Sequence, residues 1–221
     1  MTEPATTATT APTTEPATTG RRLRTGARGE EVWRLDVGAA GTVTAHVLDP
    51  VADLDVLHAW VTRPHAGFWG LGGLTRDELR ETYEFVDSLP THHAYLLRWD
   101  GDPVVLLQLY HPEDDPVATA YDVRPGDLGL HFFRGGDGPA DRPDGTTTWD
   151  VLGPAVLRFV FAEPGVRRIV VEPDARNGAA ISRMVALGFE PAGQVSFESP
   201  QGPKTALLAF LTREAALGAA T

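Results

Sequence analysis

Two residues in this chain have the types and placement of a proton-transfer pair. His131 lies in Asp127-Leu128-Gly129-Leu130-His131-Phe132-Phe133, and Asp174 lies in Val171-Glu172-Pro173-Asp174-Ala175-Arg176-Asn177. Imidazole titrates near neutral pH, and a carboxylate beside it orients the ring and supports its charged form. Such a pair can take a proton from an attacking nucleophile. Each residue also has a plainer reading. His131 alone reads as a core histidine satisfied by a carbonyl, and Asp174 alone as a turn residue ahead of a helix cap at Asn177.

The elements around the two residues decide between these readings. Residues 127–133 read as a buried strand, with Leu128, Leu130 and Phe132 facing one way and Gly129, His131 and Phe133 the other. A long Gly- and Pro-containing loop follows from Gly135 to Thr148. A helix is expected from about Pro154 to Ala162, because proline suits a first helical position. Arg167 to Glu172 reads as the next strand. Strand, helix and strand then form a right-handed parallel crossover. Ligands in such sheets bind beyond the carboxyl ends of the strands, which is where His131 and Asp174 both fall.

The rest of the chain reads as α+β. Residues 32–37 and 42–47 form a hairpin, and a helix follows Pro50 with Leu54, Leu57 and Val61 on one face and His58 on or next to it. Arg63 to Gly73 reads as a loop whose Phe68 and Trp69 either cap the core or wall a pocket. Thr75-Arg76-Asp77-Glu78 is a capping box that starts a second helix. His93–Trp99 and Pro103–Tyr110 are strands joined by a tight turn at Asp100-Gly101. Val117–Val123 is expected as another strand. Asn177 caps a further helix ended by Gly188. Phe189–Phe197 and Lys204–Leu211 close the chain. Residues 1–30 are read as a disordered Thr/Pro/Ala-rich tail ending in a basic patch at Arg21, Arg22, Arg24 and Arg28. Residues 31–221 are read as a single domain.

Composition narrows the function classes. The 221 residues contain no cysteine, which excludes disulfides, thiolate metal sites and a cysteine nucleophile and fits a reducing, cytoplasmic setting. The formal net charge of -11 disfavours nucleic-acid binding. No apolar run reaches membrane-spanning length, and the N-terminus lacks the pattern of a secretory signal. The seven histidines show no metal-ligand spacing, so no metal is expected. Free N–H groups at the start of the crossover helix would suit a phosphate, although no Walker lysine or G-x-G-x-x-G pattern is present.

Residues from about Leu54 to Leu211 resemble the siderophore-biosynthetic branch of the GNAT N-acyltransferases. The resemblance rests on His58-Ala59-Trp60, Pro64 through Trp69, Asp100-Gly101-Asp102-Pro103, Asp127 through His131, Val171 through Asn177, Leu187-Gly188-Phe189 and Pro203 through Leu208, in that order and spacing. It implies a GNAT fold, a mixed central sheet with splayed parallel strands flanked by helices. It also implies an acyl-CoA co-substrate whose pantetheine pairs with the first splayed strand. His131 and Asp174 take the places of the family's catalytic pair. The diphosphate would lie near Gly153, and Asn177 would stand where the cofactor arm passes. The chain departs from the family at three places. Thr148 through Gly153 stands where the Arg/Gln-x-x-Gly-x-Gly/Ala phosphate loop belongs and carries Asp150, an unwelcome charge for a diphosphate. Gln108 stands where a glutamate is usual, and Thr62 where an asparagine is common.

The implied activity is transfer of an acetyl or other short acyl group from acyl-CoA to a primary amine or N-hydroxylamine of a lysine- or diamine-derived siderophore precursor. Leu130, Phe132, Phe133, Trp149, Gly153 and Asn177 are the expected cofactor contacts, with backbone N–H groups around 130–133 serving as the oxyanion site. Phe68, Trp69, Gln108 and Tyr121 are the expected acceptor pocket. The expected partner is a small-molecule amine or hydroxylamine, with no nucleic acid and no membrane; a homodimer is open to the chain. Two rivals remain: acetylation of another amine, such as an aminoglycoside or a protein lysine, and a non-catalytic acyl-CoA-binding module.

Overall fold

Alternating apolar residues and tight turns build one eight-stranded sheet in the computed structural model, which describes residues 24–143 and 145–218. β1 (Glu31–Asp36) and β2 (Thr42–Val47) form the expected hairpin across a short 3-10 turn at Gly38–Ala40. α1 (Leu54–Val61) and α2 (Arg76–Ser88) follow, and the capping box at Thr75 and Glu78 is formed. β3 (His92–Trp99) returns through Asp100 and Gly101, both at positive φ, into β4 (Asp102–Tyr110). β5 (Asp127–Arg134), α3 (Thr148–Phe161) and β6 (Arg168–Val171) make the crossover. α4 (Gly178–Ala186), β7 (Glu190–Ser199), β8 (Gly202–Thr212) and α5 (Arg213–Gly218) complete the chain.

The strand order is β1-β2-β3-β4-β5-β6-β8-β7, and only β5 and β6 run parallel. Their pairing covers 127–129 against 168–170 and then stops. The two strands part just where β5 reaches Leu130 and His131.

Side-chain alternation gives the sheet two covered faces. Leu107, Leu109, Leu128 and Leu130 pack under α3 through Leu152, Ala155, Val156 and Phe159, with Met184 of α4 in the same cluster. On the other face Leu57, Trp60, Leu79 and Tyr83 of α1 and α2 cover Ala94, Leu96, Leu106 and Phe133. A smaller cluster of Tyr110, Val117, Val170 and Leu208 covers the second face further along the sheet. His131 is on this second face, between the two clusters.

Five expectations about elements are corrected. Residues 64–69 are a 3-10 helix, not loop, since Pro64 starts it and Gly70 in the left-handed region ends it. Residues 117–123 form no strand. Pro112–Asp114 and Pro116–Thr119 are 3-10 turns, and the Asp115 side chain accepts from Val117 N–H at 2.9 Å, so an Asp-Pro cap outweighs the β-prone valines. The crossover helix begins at Thr148, six residues before Pro154, which lies inside it. α5 extends the chain past the last expected strand. Residues 24–30 of the expected tail are packed on the sheet: Tyr95 donates to Arg24 O at 2.7 Å, Gly29 N–H donates to Val47 O at 2.8 Å, and Arg28 pairs with Asp87. Residues 1–23, with Arg21 and Arg22, lie outside the described residues.

Candidate active site

His131 faces Gln108 across the β4–β5 ladder. Its Nε2 lies 2.5 Å from Glu172 Oε1. Glu172 follows the last residue of β6, two positions after Val170, and so projects onto the same face as His131. Its side chain is only 2 % exposed, yet it accepts two further bonds: Tyr110 O–H at 2.9 Å and Lys204 Nζ at 3.2 Å. A buried carboxylate must be paired and hydrogen-bonded to stay ionised. Burial raises the pKa of Glu172, but His131, Lys204 and Tyr110 outweigh it and bring the group down to about 2. Since an ionised Glu172 only accepts, the hydrogen-bond network assigns the shared proton to His131 Nε2. Nδ1 of the neutral ring is then the nitrogen able to take a proton.

Gly129 makes this network possible. It lies opposite Tyr110, and a Cβ there would fall 2.1 Å from Tyr110 Cζ. Without a side chain, Gly129 lets the Tyr110 ring lie across β5 and deliver its hydroxyl to Glu172. The ring also sits 4.9 Å from that of His131. Burial, followed by the Glu172 charge, pushes the Tyr110 phenol well above its ordinary value, so it stays a donor.

Asp174 is not the partner of His131. The chain runs on beside β8, with Asp174 bridged to Ala206, and turns only at Ala175 and Arg176; Asp174 takes a two-pronged bond from Arg176 at 2.9 and 2.7 Å and a backbone bond from the same residue. Those bonds hold its pKa at about 2. The His–carboxylate pairing expected from the sequence is therefore formed by Glu172, two residues earlier.

Around the histidine, Trp69 stands edge-on at 6.4 Å, packs on Phe133, and donates Nε1–H to Tyr83 at 3.3 Å. Phe68 is half exposed beneath the Arg176 guanidinium, joining the 3-10 segment to the turn after β6. Trp69 and Gln108 thus lie beside His131, while the Phe68 ring packs under Arg176. Tyr121 is not beside the histidine: its hydroxyl is committed to Asp127, within the buried Asp127–Arg168 pair at the start of β5, and its ring packs on Phe210.

On the cofactor side, Gly126 O accepts from Arg168 N–H and Gly135 N–H donates to Val104 O. Backbone groups alternate along a strand, so even-numbered residues of β5 turn toward β6 and odd-numbered ones toward β4. Past the end of the parallel pairing, Leu130 C=O and the N–H and C=O of Phe132 face a strand gap. Phe133 turns its amide to β4 and its ring into the Trp60 and Trp69 cluster, so it is a packing residue. Trp149 lies on Phe132 at 5.2 Å. Gly153 is buried in mid-helix, where a Cβ would lie 2.5 Å from Leu187 Cδ2; it is a packing glycine, not a phosphate contact. With α3 starting at Thr148, the segment ahead of it is Arg142 through Thr147, which matches the family phosphate pattern at Arg142 and Gly145 but has Thr147 in the last place. Asn177 Oδ1 caps α4 by accepting from Ala180 N–H at 3.1 Å.

Glu172, Tyr110 and Lys204 were missed as site residues. Glu172 was within the quoted motif. Tyr110 and Lys204 need the sheet register, which puts Tyr110 beside Gly129 and folds β8 back along β6. Separately, His111, Glu113 and Asp114 bring three metal-capable side chains together after β4, with both acids exposed.

Residues 49–197 match the family described as acetyltransferase (GNAT) domain. The lysine N-acyltransferase MbtK of Mycobacterium tuberculosis is 34% identical over 134 residues, covering 58% of this chain and 60% of that protein. The N(6)-hydroxylysine O-acetyltransferase of Escherichia coli is 24% identical over 173 residues, 77% of this chain and 53% of that one. The chain thus spans somewhat over half the length of these curated relatives. The solved structure of AAC(6')-Ib with paromomycin and acetyl-CoA superposes with a TM-score of 0.57 at 25% identity, over 78% of this chain and 94% of that one.

Proposed function

Since the chain belongs to the GNAT acetyltransferase family, matched over residues 49–197, we propose that it is an N-acyltransferase. It moves an acetyl or other short acyl group from acyl-CoA to the amine or N-hydroxylamine of a lysine- or diamine-derived siderophore precursor. The observation that carries this reading is the His131–Glu172 bond, set beside the unpaired edge of β5. The similarity to lysine and hydroxylysine acyltransferases selects the acceptor class.

The donor supplies a thioester carbon; the chain's own residues do the rest. Leu130 C=O and the Phe132 backbone can pair with the amides of a pantetheine arm. Gln108 and Trp69 border the space beside His131 where the acceptor nitrogen would lie, with Phe68 next in the chain to Trp69 and packed under Arg176. Nδ1 of His131 takes the proton from that nitrogen, while Glu172 holds Nε2–H and steadies the cation that forms. The N–C bond forms, the C–S bond breaks, and the departing thiolate takes up the proton that His131 removed from the nitrogen, which returns the ring to its neutral form. Lys204 and Tyr110 keep Glu172 ionised during this exchange. The reaction belongs in the cytoplasm, where acyl-CoA is made; among the described residues no helix is long and apolar enough to cross a membrane.

The test is His131→Ala, assayed for CoA release against lysine, N-hydroxylysine, cadaverine-type diamines and an aminoglycoside. The variant should bind acyl-CoA normally and lose about 10²–10⁴-fold in turnover, the usual worth of a general base. Near-normal turnover removes the base assignment. Preference for the aminoglycoside favours the second reading, which the likeness to AAC(6')-Ib supports. Donor binding without CoA release on any acceptor favours a non-catalytic module.

A further inference from the structure

Glu172 serves more than the histidine. His131 Nε2 and Lys204 Nζ both end on Glu172 Oε1, at 2.5 and 3.2 Å, while the Tyr110 hydroxyl donates to Oε2 at 2.9 Å. The lysine comes from a distance. β8 runs on past the end of β6, where Ala175 N–H donates to Thr205 O and Leu207 N–H to Pro173 O. Lys204 therefore starts beyond Asp174, and its side chain reaches back to Glu172. Phe197, its neighbour across the β7–β8 ladder, holds the ammonium 5.6 Å from its ring centre. Among the described residues the bond to Glu172 is the only hydrogen bond of Nζ, and the side chain is 26% exposed.

This arrangement bears on the charge of the ring. A carboxylate at hydrogen-bond distance favours imidazolium, and an imidazolium cannot take a proton from an acceptor. Among the described residues Glu172 is the one acid bonded to His131. Gln108 and Tyr110 face the ring from β4, and Trp69 faces it from the 3-10 helix, none of them charged. Asp174, two residues on, is spent on Arg176. Lys204 is the cation set against the pull of Glu172, and it meets the same oxygen that the ring uses. Hydrogen bonding alone does not call for a lysine here, since Tyr110 already supplies an uncharged donor to the carboxylate. What the lysine adds is charge.

We propose that Lys204 is a positioning residue for the transfer: by sharing Oε1 it offsets Glu172 and keeps His131 a neutral base, ready for the acceptor proton. This rests on the acyl-transfer reading above. Glu172 then orients the ring through Nε2–H without holding it as a cation. When the ring becomes charged during transfer, the same ammonium makes it yield its proton to the departing thiolate, so the base is restored.

Lys204 variants, followed by pH–rate profiles and by NMR, test the proposal. A neighbouring charge moves a titration by about 1–3 pH units, and partial exposure screens this one, so a change of about 1 unit is expected. Without the ammonium, Glu172 holds the imidazolium to higher pH, so the change is upward. In Lys204→Met the acid limb of kcat/KM should lie about 1 pH unit higher than in wild type, with activity about tenfold lower on that limb and close to wild type above it. NMR titration of the His131 ring, assigned against His131→Ala, should show the same upward change with no acyl donor present. Lys204→Arg, which keeps the charge, should hold the wild-type profile. Lys204→Gln, which can donate to Oε1 without a charge, should follow Lys204→Met. An unchanged ring titration in Lys204→Met, or a wild-type profile in Lys204→Gln, overturns the proposal. A rate loss equal at every pH makes Lys204 purely structural and overturns it as well. Failure of the wild-type protein to release CoA with any acceptor overturns the acyl-transfer reading instead, while the ring titration still decides whether Lys204 sets the charge of His131.

Discussion

Replacing Glu172 by glutamine isolates the carboxylate that positions His131. The side chain keeps its size but loses its charge and one of its two accepting oxygens, so the bonds from His131 and Lys204 to Oε1 and from Tyr110 to Oε2, at 2.5, 3.2 and 2.9 Å, can no longer all be made. Lys204 is left partly buried without a counter-ion, at 26% side-chain exposure. Breaking a buried ion pair from one side costs about 3–5 kcal/mol; Lys204 can turn partly to water, so about 3 kcal/mol is expected. The imidazole also loses the negative charge that supports its cation, and an amide, which donates as well as accepts, no longer fixes its tautomer, so turnover should fall about 10²- to 10³-fold, within the range of a misplaced base. Asp174→Asn is the control, because its partner Arg176 is 81% exposed. An exposed pair is worth about 1 kcal/mol or less, and turnover should stay within about twofold. Urea unfolding and steady-state CoA release on both variants provide the measurements. If Asp174→Asn lost turnover while Glu172→Gln kept it, the assignment of Glu172 would be refuted.

Other outcomes follow from the same geometry. Gly129→Ala would drive a methyl into the Tyr110 ring; it should destabilise by about 1–3 kcal/mol, as overpacking does, and lower turnover through loss of the Tyr110–Glu172 bond, read by denaturation and by rate. Thr147→Ala removes the cap of α3 and should cost about 0.5–2 kcal/mol by denaturation. Glu172 has a folded pKa of about 2 against an ordinary 4.5. Its contribution to stability is therefore complete above about pH 4.5 and is lost as pH falls from there toward 2; acid titration of stability should show this step in wild type and not in Glu172→Gln. Trp69→Ala should raise the acceptor KM more than it lowers kcat, because the ring borders the space beside His131 without bonding to it.

Much of the frame was legible because it depends on local chemistry. The period-two pattern of 127–133 put His131 on the correct face, and Thr75 with Glu78 marked a helix start from side chains three residues apart. The misreadings have local causes as well. Thr146-Thr147-Thr148 looks like loop, Gly153-Pro154 looks like a break, and the capping partner of Thr147 is an aspartate, so six residues of α3 were assigned to the loop. Val117 and Val123 are strand formers overruled by Asp115-Pro116. The identity of the carboxylate on His131 was not local at all. Glu172 and Asp174 have the same parity and both lie in register against β8, so only their position along the strand and the presence of Arg176 decide which one meets His131. Lys204 reaches Glu172 only because β8 folds back antiparallel to β6, a pairing between residues more than thirty positions apart.

The parting of β5 from β6 has a consequence for amide hydrogen exchange. His131 and Phe133 offer their N–H groups to β4, whereas Phe132 and Arg134 offer theirs to the gap. Neighbouring amides along one strand should then exchange at alternating rates, slow at 131 and 133 and fast at 132 and 134. A ligand that pairs with the open edge would protect Phe132 while leaving His131 unchanged. One strand thus carries a built-in reporter of groove occupancy, with its reference signal one residue away.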